Sequence, residues 1–346
     1  AALPRGLGDL AEALGGPAAA GPRVVLLGEV HDDTVAHALQ LQVLRHCHEA
    51  CRAQGRRLVL SLEMFESDVQ RVLDEYVVER AIREEDMLQD ARPWANYARD
   101  YRPLVEFCRD HGVRVVAANA PRRYVSLVAR RGARVLQALV DGGADPQVSR
   151  DVPPLPLPPA SAAYRQKFVE TIASQMAPPQ AAGEGGACPF IGFRASDVRE
   201  VKPEMLEAQL LWDHAMARSI AGALEGAGPE ALVLHVCGAF HCAHGLGIPE
   251  ALPRYAEPAG GAPPPAPPWL PMDEALPPEL RPPAARGAEA VGPKACPAGV
   301  LSVVCWPACV PATLEAVRAG PVPRSLGSMA DWVVVTEEAF GEAPAP

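Results

Sequence analysis

Six apolar runs punctuate the chain, at residues 24–27, 58–62, 113–118, 231–237, 300–306 and 332–336. Each is about as long as a strand, and the first four have almost no polar interruption, as expected of strands buried on both faces. Between them the apolar positions recur at helical spacing. One helix is predicted over 34–54, capped by Asp32 or Asp33 and closed near Gly55. Others are predicted over 68–79, 84–88, 104–111 (closed by Gly112), from Tyr124 to about 140, over 161–176 and over 203–225. In the last of these, Leu206, Leu210, Ala217, Ile220 and Leu224 share one face. A short helical pattern also covers 7–14.

Strands alternating with helices predict an α/β fold, a mainly parallel sheet with helices on both faces. The domain is expected over 22–346, after an N-terminal extension at 1–21. A smaller helical cap is expected at about 66–92, with 160–176 as a second candidate piece. Residues 145–159 are rich in proline and are predicted to lack regular structure. The Pro/Gly-rich stretches 177–187 and 258–295 read as flexible insertions.

Composition narrows the function. The 346 residues are 49% hydrophobic and 21% charged, with a formal net charge of −10. That balance argues against a nucleic-acid partner, which calls for a basic face. No run of 18 uncharged apolar residues is present. The closest, 231–248, contains His235, His241 and His244. The chain starts at Ala1 without a charged-then-apolar leader, the pattern of a processed or excised chain. Nine cysteines without framework spacing read as reduced, mostly buried thiols.

The chemistry concentrates where strands end. Gly28 is followed by Glu29 and His31, and the second strand runs into Glu63. The third runs into Asn119, Arg122, Arg123 and Tyr124, and the fourth into Gly238 and His241. In open α/β sheets, ligands bind beyond the carboxyl ends of the strands. Two readings stay open. In a hydrolytic site His31 or His241 activates water, Glu29 or Glu63 orients or shares the proton, and Arg122 or Arg123 steadies an anion. In a ligand site the same groups or nearby tyrosines meet a metal or a metal-bearing cofactor. Tyr97 and Tyr101, four apart, are candidates, and tyrosine is a known haem ligand. His37, His46, His48 and His214 fall on predicted helices and read as packing or surface residues.

Several blocks, in order, resemble the haem-binding uptake proteins called ChaN, of the Tiki superfamily. They are Leu27-Gly28-Glu29-Val30-His31-Asp32, Leu62-Glu63-Met64-Phe65, Arg92-Pro93-Trp94-Ala95-Asn96-Tyr97 with Asp100-Tyr101, and Ala118-Asn119-Ala120-Pro121-Arg122-Arg123-Tyr124. Ala208-Gln209-Leu210-Leu211-Trp212-Asp213, Gly238-Ala239-Phe240-His241 and the closing Ala330-Asp331-Trp332-Val333 complete the series. The resemblance implies a ChaN-like α/β domain that binds haem or another metalloporphyrin in iron handling, and a homodimer. It places Tyr97, Tyr101, Asn119, Arg123 and Tyr124 as cofactor-binding candidates. Superfamily relatives that are metal-dependent proteases and esterases imply the alternative, a hydrolase using Glu29, His31, Glu63, Arg122 and His241. A divalent metal would then sit on His31 and His241. Ala239 departs from the asparagine common in relatives. Relatives of this kind occur in plastids, so a plastid location is expected, with the bacterial envelope as the alternative.

Overall fold

The structure is a computed structural model describing residues 10, 12–14, 22–143, 145–176, 202–228, 230–256, 299–307 and 329–336. All six predicted strands form: β1 (Val24–Glu29), β2 (Leu58–Glu66), β3 (Arg114–Asn119), β4 (Leu232–Gly238), β5 (Val300–Pro307) and β6 (Trp332–Thr336). They make one parallel sheet in the order β3-β2-β4-β1-β5-β6. The α/β class expected from the sequence is therefore the class observed. Residues 177–187 and 258–295 lie outside the described residues.

Alternation along the strands builds two cores. Val25, Leu27, Leu60, Leu62, Leu234 and Val236 face a layer that includes Val43, Leu44 and Cys47 of α1 (Thr34–Ala53). Val24, Leu26, Val59, Val233 and Cys237 face the other way, against Met216, Ala217 and Ile220 of a long helix, Pro203–Ala227. The chain leaves β1 and β2 toward the first layer, and β3 and β4 toward the second. Because β4 lies between β1 and β2, neighbouring strands send their connections to opposite faces on both sides of it. This is the topological switch point at which α/β sheets open a crevice.

Two local expectations are corrected. The helix predicted over 68–79 breaks into a 3₁₀ turn (Ser67–Val69), one α turn (Gln70–Leu73) and a π turn (Asp74–Val78). The π register is visible in the bond from the Glu79 N–H to the Asp74 carbonyl, at 3.0 Å. The proline-rich stretch does hold a short helix, Pro146–Asp151. Its proline stands in the first turn, where no N–H is required, and the Asp145 side chain accepts the Gln147 N–H at 2.8 Å. Of the expected cap pieces, residues 66–92 place Val69, Leu73, Tyr76, Val77 and Met87 in the first-layer core. The helix Ala162–Met176 packs Tyr164 and Phe168 against Phe240 and Leu246, beyond the end of β4.

Candidate functional site

Parallel register sets the site. Glu29 is paired with Gly238 across β1 and β4, and Leu62 with Val236 across β2 and β4. Glu63 therefore leaves β2 next to the end of β4, and its Oε2 accepts the Gly238 N–H at 2.6 Å. An irregularity between Leu62 and Glu66 breaks the β2–β3 ladder at this point. Such bulges re-aim side chains beside functional sites.

Glu29 is fully buried. One of its oxygens accepts from His31 Nδ1 at 2.9 Å and from the Tyr101 hydroxyl at 2.5 Å, and the other accepts from the Gln40 amide. Burial alone would raise the Glu29 carboxyl, but the bond from His31 and then the His37 imidazole beside it hold it below the usual carboxylate range. His31 keeps 19% of its side-chain surface exposed. Burial pushes its imidazole down, and the bond to Glu29 with the charge of Glu63 carries it back above its ordinary value. With Nδ1 committed, Nε2 has no hydrogen-bond partner among the described residues and lies over the Cα of Gly238. A Cβ there would stand 3.0 Å from that nitrogen. Trp94 meets the His31 ring edge-to-face at 4.9 Å, and the Asn96 amide donates to the His31 carbonyl at 3.2 Å.

Beside Gly238 lies a buried ion cluster. His241 Nδ1 is 2.6 Å from Asp213 Oδ1, and its Nε2 is 3.5 Å from Glu63 Oε1. Burial would depress the imidazole, yet Glu63 and then Asp213 hold it up at about 10. Burial would likewise raise Glu63, but the charge of His241 takes it down to about 2. The Tyr164 hydroxyl donates to the second Asp213 oxygen, and Lys167 Nζ sits 4.6 Å from the centre of the Phe240 ring. Burial lowers the Lys167 ammonium to about 8, against an opposing pull from Asp213.

The structure thus brings together Glu29, His31, Glu63 and His241, with Tyr101 behind Glu29. Tyr97 is also close by but in the core, edge-on to Phe65 at 5.9 Å. Asn119 is buried and accepts the Ala120 N–H at 2.9 Å. The two arginines each face a neighbouring acidic group. Arg123 pairs with Asp68 and, at 3.0 Å, with Asp151, while its guanidinium lies 4.5 Å over Tyr124. Arg122 is 75% exposed, with Glu66 at 3.9 Å. Among the described residues no group of three or more His, Cys, Asp or Glu is arranged to hold a metal ion. The cysteines that are described, Cys47, Cys51, Cys108, Cys237, Cys242 and Cys305, are free and buried, as expected.

Sequence reasoning passed over Asp213, Tyr164, Gln40 and Asp100 as site residues, and read His37 as packing or surface. His37 instead lies between two carboxylates. Asp213, placed in a motif block with Gln209, and Asp100, placed in one with Tyr101, did carry a signal.

Gly28 shows how tightly the site is backed. A Cβ at this position would come within 2.7 Å of Cys242 Sγ and 3.0 Å of the Ala239 backbone. Gly28→Ala is therefore expected to cost ~1–3 kcal/mol through overpacking, read as a lower melting temperature.

The fold is an α/β sheet whose switch point carries paired acids and imidazoles. More particularly, the chain belongs to the family described as haem-binding uptake, Tiki superfamily, ChaN, which matches residues 17–252. It is 26% identical over 241 residues to the Arabidopsis thaliana protein RETICULATA-RELATED 5, chloroplastic. That alignment covers 67% of this chain and 29% of the relative, so the match spans under a third of the plant protein. The fold is similar to that of ChaN of Campylobacter jejuni, described with cofacial haem binding. The TM-score is 0.51 at 14% identity, covering 95% of this chain and 91% of that one. Among the described residues, no helix is long and apolar enough to cross a membrane.

Proposed function

We propose that this chain binds haem at the strand-end site, where His31 Nε2 would meet the iron. One observation carries the assignment. His31 is the partly exposed imidazole of the cluster, anchored through Nδ1 to a buried carboxylate with its other nitrogen left open. A carboxylate behind a ligating histidine fixes its tautomer and orientation, so the donor set suits an iron porphyrin. Haem would supply an iron that takes a protein nitrogen or oxygen as ligand. Glu29, itself held by Tyr101 and Gln40, sets the imidazole. Trp94 offers an apolar wall, and exposed Arg122 offers a guanidinium for a propionate. Tyr97 and Tyr101 act from within, since both hydroxyls are buried, and Tyr124 is the alternative iron donor.

Family membership and the Campylobacter fold support this reading, and the chloroplastic relative favours a plastid over a bacterial envelope. A role in haem or iron handling, and a homodimer, belong to the same proposal.

Titrating the protein with haemin is expected to give a saturable Soret shift. His31→Ala should abolish it and Tyr124→Phe should retain it. The reverse pattern would move the ligand to Tyr124, and no shift with folded wild type at micromolar haemin would sink haem binding. Trp94→Ala is expected to speed haemin association in stopped flow by opening the His31 face.

A second reading rests on the same Glu29–His31 pair, which has the form of a general base and its orienting acid. A hydrolase of esterase or protease type would lose turnover in His31→Ala, and equal rates for both proteins on an ester and peptide panel would dismiss it.

A further inference from the structure

We infer that His37 is a positioning residue for His31: a buried imidazolium, shared by Glu29 and Asp100, that holds the carboxylate against which His31 is set. The consequence for bound haem rests on the reading above, but the assignment of His37 as a cation does not.

The argument starts from donors and acceptors. His37 Nε2 lies 3.3 Å from Glu29 Oε2, and its Nδ1 lies 3.2 Å from Asp100 Oδ1. The angles are poor for hydrogen bonds, so both contacts are chiefly ionic. A neutral imidazole carries one N–H and would turn its bare lone pair toward one of the two anions. Only the doubly protonated ring suits both. Around it stand Glu29 from β1, Asp100 from the turn Tyr97–Asp100, Asp33 at the helix cap, and the Tyr101 ring at 5.2 Å. Burial pushes the imidazole down, while Glu29 and then Asp100 hold it above its ordinary value. Asp100 is closed on its outer side by Arg99 Nε at 2.6 Å and by the Asn96 amide at 2.8 Å. Asn96 also reaches the His31 carbonyl, so one set of bonds ties His37 to the site from both directions.

The Glu29 carboxylate is divided as a result. Oε2 answers to His37 and Gln40, and Oε1 to His31 and Tyr101. Without the His37 charge, Glu29 would pull harder on the His31 Nδ1–H, making Nε2 a stronger donor. With iron bound, that favours the ferric state.

His37→Gln keeps the size and one donor but removes the charge, and His37→Lys keeps a cation. In the haem-loaded full chain, His37→Gln is expected to shift the ferric-to-ferrous ratio at fixed potential about tenfold toward ferric, ~59 mV for one electron. His37→Lys should stay near wild type. In the haem-free, ¹⁵N-histidine-labelled chain at neutral pH, both ring nitrogens of His37 should carry hydrogen. A bare ring nitrogen there would overturn the inference. So would equal midpoints for wild type and a folded His37→Gln. If wild type fails to bind haemin, the haem reading falls, and the ¹⁵N spectrum still decides the His37 charge.

Discussion

Replacing His241 with alanine is expected to lower the free energy of unfolding by ~3–5 kcal/mol, one of the largest losses any single side chain here can produce. The reason is what it leaves behind. Glu63 and Asp213 would remain buried on either side of an empty space, with the shared cation between them gone. Glu63 would keep the Gly238 N–H and Asp213 the Tyr164 hydroxyl, and neither bond supplies a countercharge. Urea titration of wild type and His241→Ala measures the loss directly. A cycle with Glu63→Gln then separates ion pairing from cavity formation. Groups in one ionic network couple by ~0.5–3 kcal/mol, whereas additive losses would show that His241 merely fills space.

The second large effect is on pH. The folded-state values of His31, His37 and His241 are raised, that of His241 to about 10 from an ordinary 6.5. A raised group contributes stability that is complete below its unfolded value and is lost as pH climbs through its folded value. Each such proton is worth up to ~1.4 kcal/mol per pH unit between the two. Melting temperature should therefore fall steadily from pH 6.5 to 8, and more gently in His241→Gln. Above pH 8 the slope should flatten, because Lys167, depressed to about 8, then works in the opposite sense. On the acid side, His214 and His235 are pushed by burial to about 4 and about 3. The stability they confer is complete above 6.5 and declines as pH drops through those values. The carboxylate of Glu63 adds a later loss between about 4.5 and about 2. The maximum should lie near pH 6.5. A flat profile from 6.5 to 8 would contradict the ion cluster.

The strands and most helices were legible because their signals are local. Val24 to Leu27 is apolar wherever it is placed, and Gly112, in the left-handed region at φ 67°, ends its helix without help from the rest of the fold. Strand-end chemistry was legible for the same reason, since Glu29, His31, Glu63 and His241 each come within four residues of the end of an apolar run. What misled was local propensity under tertiary pressure. Between residues 67 and 78 a continuous helix gives way to 3₁₀, α and π turns as Val69, Leu73, Tyr76 and Val77 reach the core. The partners of Arg123 were equally out of reach of local signals, since Asp68 and Asp151 engage it from two other segments.

By itself, then, the sequence determined the α/β class, the strands and the ionisable groups delivered to their ends. Hydrophobic period and strand-end position are written into consecutive residues. Only the tertiary structure decided that β4 lies between β1 and β2, that Glu63 meets Gly238 and His241, and that Asp213 and His37 complete two buried charge clusters. Those outcomes depend on which strand pairs with which, and on whether a charge finds its partner away from water. Both are properties of distant residues brought together, and neither is encoded in the spacing of neighbours.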